Sequence, residues 1–254
     1  MSLILTEKHA GVLQVGFNRP EKKNAITGEM YRVLAETLQA ASADPAVRVV
    51  LFHGNAEGFT AGNDLGDFLR SPIDDSSPVL KFLHALVHFD KPMVAAVNGL
   101  AIGIGTTMLL HCDLVYCAPN ARLSLPFINL GVTPEAASSY LLPRLAGYQR
   151  AAELLLLGEP FGADKAREIG LANAVVPAEQ LMETALAAAH KLAQKPPAAM
   201  RLSRQLLKAG TQAVAAQTHE TEIRIFAERL RGAEAREAMT AFFEKRQPDF
   251  SKFS

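Results

Sequence analysis

Glu135 is the lone acid between Asp113 and Glu153, and its neighbours in the run Val-Thr-Pro-Glu-Ala-Ala (132–137) are small and apolar. A carboxylate in such surroundings is a candidate acid/base. Upstream, an apolar strand over residues 93–97 runs into a glycine-punctuated turn over 99–105, and a helix-like run follows over 106–111. Glycines let a backbone approach a ligand closely and leave amide N–H groups free. A turn that opens a helix adds the positive end of the helix dipole. Such a turn can hold an anion, or an oxygen that becomes anionic during a reaction. The chemistry these residues point to is proton transfer by one carboxylate beside a set of backbone donors.

The chain that must position them has 254 residues, enough for one large domain or a domain with an appendage. Its apolar fraction of 49% can fill a sizeable core. Lysine plus arginine equals aspartate plus glutamate, 26 each, which gives no support for nucleic-acid binding. No apolar run approaches the ~18 residues of a membrane span. The start, MSLILTEKHAG, lacks the basic n-region and long apolar stretch of a signal peptide, and the end, DFSKFS, is not the peroxisomal SKL address. Cys112 and Cys117 cannot make a zinc site alone and suggest reduced thiols. A cytoplasmic protein without membrane or nucleic-acid partners is the expectation.

In chain order, residues 3–8 and 12–17 read as a hairpin around His9-Ala10-Gly11. Thr27 is a plausible N-cap for a helix whose apolar face carries Met30, Val33, Leu34, Leu38 and Ala41. Residues 49–52 form a short buried strand and 54–65 a loop pivoting on Gly58 and Gly62. Residues 67–70 start a short helix, and 71–78 (SPIDDSSP) is a polar surface loop. Residues 79–89 are apolar at helical spacing. Strand and helix alternate, which argues an α/β fold; no fixed-period repeat is visible. A strand over 113–117 and a loop ending at Pro134-Glu135 follow. Beyond Gly147 the chain reads as helical, over 148–157, 164–169 and 180–193. Lys195-Pro196-Pro197 marks a boundary between a core (1–195) and a helical tail (196–254), with helices over 200–208, 212–231 and 234–245. The tail is too short to form its own core, so the apolar faces carrying Ile223, Phe226, Leu230, Met239, Phe242 and Phe243 are expected to be buried between subunits.

Several stretches together resemble the crotonase, or enoyl-CoA hydratase/isomerase, superfamily over essentially the whole length. They are Asn18-Arg19-Pro20 with Lys23-Asn24-Ala25, Phe59-Thr60-Ala61-Gly62-Asn63-Asp64-Leu65, Ala96-Val97-Asn98-Gly99 through Gly105, and Cys112-Asp113. Leu130-Gly131, Leu142-Pro143-Arg144 and Phe242-Phe243-Glu244-Lys245-Arg246 complete the set. The resemblance implies a spiral of ββα turns, a helical C-terminal region that builds a homotrimer or dimer of trimers, and acyl-CoA thioester substrates, with CoA entering as part of the substrate and no other cofactor or metal. It also implies two backbone N–H groups that grip the thioester oxygen; matched by motif, these are the amides of Asn63 and Ile104. CoA-handling positions fall at Lys23, Ala25, Ala61, Asp64 and Leu65, and Lys245 becomes a candidate phosphate contact across a subunit boundary.

Hydratases of this family carry two glutamates, one two residues after the last glycine of the turn and one just before the Leu-Gly. Here those positions hold Thr107 and Phe127. The position that carries the base in Δ3,Δ2-enoyl-CoA isomerases holds Glu135, and the surrounding residues resemble that branch, although the turn reads GIG and lacks a triple glycine. The implied reaction is movement of a 3-enoyl-CoA double bond to the trans-2 position, as in fatty-acid β-oxidation. The rivals are another crotonase-type reaction (hydration, or isomerisation of an aromatic-pathway acyl-CoA) and a non-catalytic CoA-ester- or RNA-binding role.

Blander readings stand beside these. Glu135 after Pro134 also fits a first-turn helix carboxylate. Gly103-Ile104-Gly105 lacks the third glycine of a dinucleotide fingerprint, Met108 standing in its place. His84 and His88 sit at i, i+4, but no third ligand suggests itself, so they read as ordinary helix histidines. Asp64 reads as a cap or structural acid, Asp113 as a satisfied buried acid. The stripe Phe82, Leu86, Phe89 reads as core, part of it a candidate acyl-tunnel lining.

Overall fold

The computed structural model of the chain describes residues 2–68 and 77–253. The expected loop over 71–78 and the end of the expected helix over 67–70 fall largely outside them. Strands β1 (Ile4–His9) and β2 (Val12–Phe17) form the antiparallel hairpin, pairing Ile4 with Phe17 and His9 with Val12. Helix α1 (Gly28–Ala43) starts where Thr27 Oγ1 accepts from Met30 N at 3.3 Å and buries Met30, Leu34, Leu38 and Ala41. Then come β3 (Val49–His53), β4 (Gly58–Thr60), α2 (Leu65–Phe68) and α3 (Pro78–His88). Next are β5 (Met93–Val97), β6 (Leu100–Ile102), α4 (Ile104–Thr107), a 3-10 turn (Met108–His111), β7 (Leu114–Cys117) and β8 (Arg122–Ser124). The chain continues with α5 (Ser138–Ala146), α6 (Tyr148–Ala152), β9 (Phe161–Gly162), α7 (Ala163–Glu168), β10 (Ala174–Val175) and α8 (Leu181–Ala193). Three helices end it: α9 (Pro197–Lys208), α10 (Gln212–Leu230) and α11 (Ala233–Glu244).

Three successive strand pairs divide themselves between two sheets. The six-stranded sheet runs β1-β2-β3-β5-β7-β10 and the four-stranded sheet β4-β6-β8-β9. Thus β3, β5 and β7 each hand the chain to a partner in the other sheet. This is the spiral of ββα turns. Strands β3 and β5 are apolar without alternation because both of their faces are covered. Val50, Phe52, Met93, Ala95 and Val97 face the main core with α1 and α3. Val49, Leu51, Val94 and Ala96 face a second core, where α8 contributes Leu181, Ala185, Ala189 and Ala193.

The structure corrects several boundaries. Residues 54–65 are not all loop, since β4 lies among them, and β6 lies inside the glycine-punctuated turn. Both strands have only three residues, too few for a periodic signal. The helical run starts at Ile104 and tightens into a 3-10 turn, so a single α-turn stands where a longer helix is expected. The stretch after Gly147 holds two short strands, β9 and β10. Phe82, Leu86 and Phe89 are all core. The tail packs back on its own chain: Phe226 and Ala235 join the main core and Met239 is 3% exposed, whereas Phe242 and Phe243 stay exposed. No helix among the described residues is long and apolar enough to cross a membrane.

Candidate active site

The four-stranded sheet pairs β4 with β6 and so places the turns after them side by side. Their contact needs glycine: a Cβ on Gly62 would stand 2.6 Å from the Ile102 carbonyl oxygen, and one on Gly105 2.6 Å from Thr60 Cγ2. Gly62 also holds φ +81°, where L side chains are strained. Ile26 N donates to Gly62 O at 2.8 Å, and Asp64 N donates to Ile26 O at 2.9 Å. This parallel bridge uses the residues flanking Asn63 and leaves the Asn63 amide turned away from it. Ile104 is the first residue of α4, so its N–H has no intrahelical acceptor. Neither amide donates to a protein acceptor among the described residues. Asn63 and Ile104 line the same two neighbouring cavities. Because α4 is one turn long, their donor power comes from the N–H groups themselves rather than from a helix macrodipole.

The larger cavity, about 740 Å³, is open and mostly apolar. Ala25, Ala61, Asp64 and Leu65 line it, as does Lys22; Lys23 does not. Lys23 contributes its carbonyl, which accepts from Ala61 N at 3.0 Å and so holds the β4 turn. Asp64 accepts from Arg19 Nη1 at 2.7 Å and from Asp67 N at 3.0 Å, so it caps α2. The Arg19 hydrogen bond holds its carboxyl below the usual range. Phe127, from the loop after β8, and Phe226, Leu230, Met239, Phe242 and Phe243 of the tail form the rest of the apolar wall. Lys245 ends α11 in a left-handed conformation and is exposed, outside the residues lining this cavity.

The smaller cavity is a narrow continuation lined by Tyr31, Asn63, Val79, Leu80, Leu83, Ile104, Glu135, Ile223 and Phe226. From α3 it takes Val79, Leu80 and Leu83 rather than the Phe82 stripe, which faces the opposite way into the core. Glu135 is therefore brought to the two amides. Among the described residues lining the two cavities, only Asp64 and Glu135 carry carboxylates, and Asp64 is committed to Arg19.

Glu135 is 6% exposed. It is not in the first turn of a helix; Ala136 and Ala137 stand between it and α5, both left-handed at φ +57° and +58°. Each such non-glycine residue costs about 1–2 kcal/mol, so the surroundings must hold it. Glu222 from α10 accepts from Ala137 N at 2.6 Å and Ser139 N at 2.9 Å. The neutral His111 ring donates to Ala136 O at 2.7 Å, its pKa pushed down to about 3 by burial. Thr107 donates its hydroxyl to Glu135 Oε1. Tyr31 donates its hydroxyl to Asn63 Oδ1 and fixes that side chain. Burial raises the Glu135 carboxyl to about 8, against the lowering effect of the Thr107 hydrogen bond, and the Glu222 charge raises it further.

Two free amides and one buried carboxylate around an apolar cavity suit carbon-acid chemistry beside a carbonyl. The family model for enoyl-CoA hydratase/isomerase matches residues 7–252. The chain belongs to that family. This hydratase/isomerase is 36% identical to 2,3-dehydroadipyl-CoA hydratase of Escherichia coli (strain K12), over 98% of this chain and 99% of the relative. It is 38% identical to enoyl-CoA delta isomerase 2 of Rattus norvegicus, over 81% of this chain but 54% of that longer protein. Its fold matches the crystal structure of an enoyl-CoA hydratase/isomerase from Pseudoalteromonas atlantica T6c with a TM-score of 0.94 at 40% identity, covering 98% of this chain and 100% of that one. The chain is thus an enzyme of a family that processes acyl-CoA thioesters.

Tyr31, His111 and Glu222 act on the site without any short-range signal in the sequence. They lie on three separate elements, and only the fold brings them to Asn63 and to the Glu135 loop. Asp113 is satisfied as expected, accepting from Arg204 Nε at 2.8 Å and Met93 N at 2.8 Å, but it is exposed rather than buried, because it stands at the mouth of β7 before the strand enters the core. His84 and His88 stack on each other at 4.1 Å between ring centroids.

Proposed function

We propose that the enzyme is a Δ3,Δ2-enoyl-CoA isomerase, and the observation that carries this reading is Glu135, among the described residues the one cavity-lining carboxylate without an ion pair, beside the two free amides. The ionised Glu135 takes a proton from C2 of a 3-enoyl-CoA. The electron pair left at C2 spreads into a dienolate, and its thioester oxygen accepts from the amides of Asn63 and Ile104. The protonated Glu135 then returns the proton at C4, leaving the double bond between C2 and C3. One carboxylate suffices because the proton it removes is the one it returns. The narrow apolar cavity excludes water from the dienolate, with Phe127 in the wall beside it.

The rival reaction is hydration of a 2-enoyl-CoA, for which the E. coli relative is named. Hydration deprotonates a water and protonates C2, work that family hydratases share between two glutamates. Thr107 and Phe127 cannot do that work. The deciding experiment measures turnover of 3-hexenoyl-CoA against 2-hexenoyl-CoA in the pure protein, with products identified by ultraviolet absorbance and chromatography. Isomerisation is expected to dominate, and hydration at a comparable rate overturns the proposal.

The rest of the reading concerns how substrate and subunits are held. Ala25, Ala61, Asp64 and Leu65 line the large cavity and suit the pantetheine arm. Lys22 offers a cation there, and Lys23 and Lys245 are the proposed phosphate contacts of an assembled particle. The exposed Phe242 and Phe243 support a homotrimer, alone or paired, and light scattering at micromolar concentration should find a trimer-based particle rather than a monomer. A cytoplasmic location fits two free cysteines, Cys112 and Cys117.

A further inference from the structure

Among the described residues no cation pairs with the Glu222 carboxylate. It lies on α10, in the tail, and is 6% exposed. Both its oxygens are spent on backbone: Oε2 accepts from Ala137 N at 2.6 Å, and Oε1 from Ser139 N at 2.9 Å. These are the amides at the start of α5, whose own N-cap residue is Ala137 and supplies no side-chain acceptor. Sequence-local capping would place Ser, Thr, Asp or Asn there. Here the cap comes from a helix more than eighty positions away in the chain. The loop it grips holds two successive left-handed alanines, a conformation that persists only when the surroundings impose it. Glu135 is the residue immediately before them, and its own carbonyl accepts from Ser138 N at 3.1 Å inside the same grip.

We infer that Glu222 is a positioning residue for the reaction: its clasp on Ala137 and Ser139 fixes the backbone that aims the Glu135 carboxylate, so the tail helix α10 sets the geometry of proton transfer. The inference rests on Glu135 being the base. Glu222 lines neither cavity, so it acts through the loop it grips. Its second influence is electrostatic, because its charge favours the protonated form of Glu135. Around this pair stand Tyr31 from α1, whose proton the Glu135 charge helps to retain, and His111 from the 3-10 turn. His219 lies one turn earlier on α10, facing His84 and His88 of α3. Burial keeps His111 and His219 neutral, their pKa values pushed down to about 3 and about 4. No cation among these groups compensates the two carboxylates.

The test is a cycle of Glu135→Gln, Glu222→Gln and the double variant, read by steady-state 3-hexenoyl-CoA isomerisation and by carboxyl 13C NMR titration. Gln at 222 keeps the shape and one acceptor but turns an amide N–H₂ towards a backbone donor. The expected result for Glu222→Gln is a kcat plateau above pH 9 lower by about tenfold or more, with KM changed less than about threefold. In the same variant the Glu135 carboxyl should titrate at lower pH. In the double variant, residual turnover should equal that of Glu135→Gln alone, because Glu222 acts through Glu135. Unchanged plateau kcat and Glu135 titration, with or without a loss of thermal stability, overturn the inference and leave the isomerase reading intact. Should Glu222→Gln not fold, Glu222→Asp, which keeps the charge and shortens the reach, must lower the plateau kcat; an unchanged value there also overturns it. Full turnover by Glu135→Gln fails the isomerase reading itself, and the positioning role with it.

Discussion

The wall that presents the two amides is held by its own glycines, whereas the wall that presents Glu135 is held from a distance. On the first wall, Gly62 and Gly105 let the turns after β4 and β6 touch, and a neighbouring bridge to Ile26 turns the Asn63 amide outward. The glycines that permit the contact are sequence neighbours of the amides they place, although Ile26 and the two turns are brought together by the fold. On the second wall the local sequence works against the observed geometry, since alanine gains nothing from a left-handed backbone. Thr107, His111 and Glu222 impose that geometry from other elements. The backbone-donor half of the site is therefore robust to changes elsewhere, and the proton-transfer half is sensitive to the packing of the C-terminal helices.

The sharpest break of this contrast removes the carboxylate. Glu135→Gln should lower isomerase kcat by ~10²–10⁴ or beyond, since one group serves as base and then as acid. Binding should survive because the amides and the large cavity are untouched. Paired measurement of kcat and the acyl-CoA dissociation constant checks this; more than about a tenth of kcat retained rules Glu135 out as the base, and joint loss of rate and binding marks it as structural instead.

A break of the other wall comes next. In Gly62→Ala the new Cβ meets the Ile102 carbonyl at 2.6 Å, and the turns must separate. Loss of one positioned donor costs about 10² in rate, so kcat/KM should fall by about that factor while the Glu135 titration stays where it was. Circular dichroism confirms the fold, and a wild-type kcat/KM would show that the amide contributes nothing.

Thr107→Val sharpens the second wall. The hydroxyl stabilises the ionised Glu135, so its loss should move the acid limb of the pH–rate profile to higher pH and lower the rate at pH 7 by up to about tenfold. In the wild type that limb should rise towards a plateau above about pH 8; an acid limb unmoved in Thr107→Val contradicts the contact.

The smallest expected effect is on stability. Burial raises Glu135 from 4.5 to about 8, so the folded chain holds a proton that the unfolded chain has released across that window. Stability associated with that proton is present below pH 4.5 and lost as pH rises through about 8. Glu135→Gln escapes that loss. Its Tm should exceed the wild type's by about 10 °C at pH 9 and match it near pH 4; differential scanning calorimetry at both pH values reads the difference.

Much of the fold is legible in the residues. The hairpin, the Thr27 cap, the buried strands and the tail helices follow from period, cap and turn signals that act over a few positions. Strands β4 and β6 are not legible, because three residues between glycines carry no period and form strands only by pairing with each other and with β8. Helix α5 is masked by Pro143 inside it and by a cap that arrives from α10.

The sequence by itself determined that Glu135 is an isolated acid among small apolar neighbours and that Asn63 and Ile104 lie beside glycines; that Thr107 and Phe127 stand where hydratases carry glutamates is what the family resemblance implies. The first two are properties of residue type and spacing, and no folding is needed to read them. Only the tertiary structure decided that Asp64 is spent on Arg19, and that Glu135 meets the amides inside a narrow cavity. It also decided that burial lifts the carboxyl into the range where a base works near neutral pH, and that Glu222 grips the loop behind it. Burial and long-range hydrogen bonds exist only between elements brought together by packing, so no window along the chain contains them.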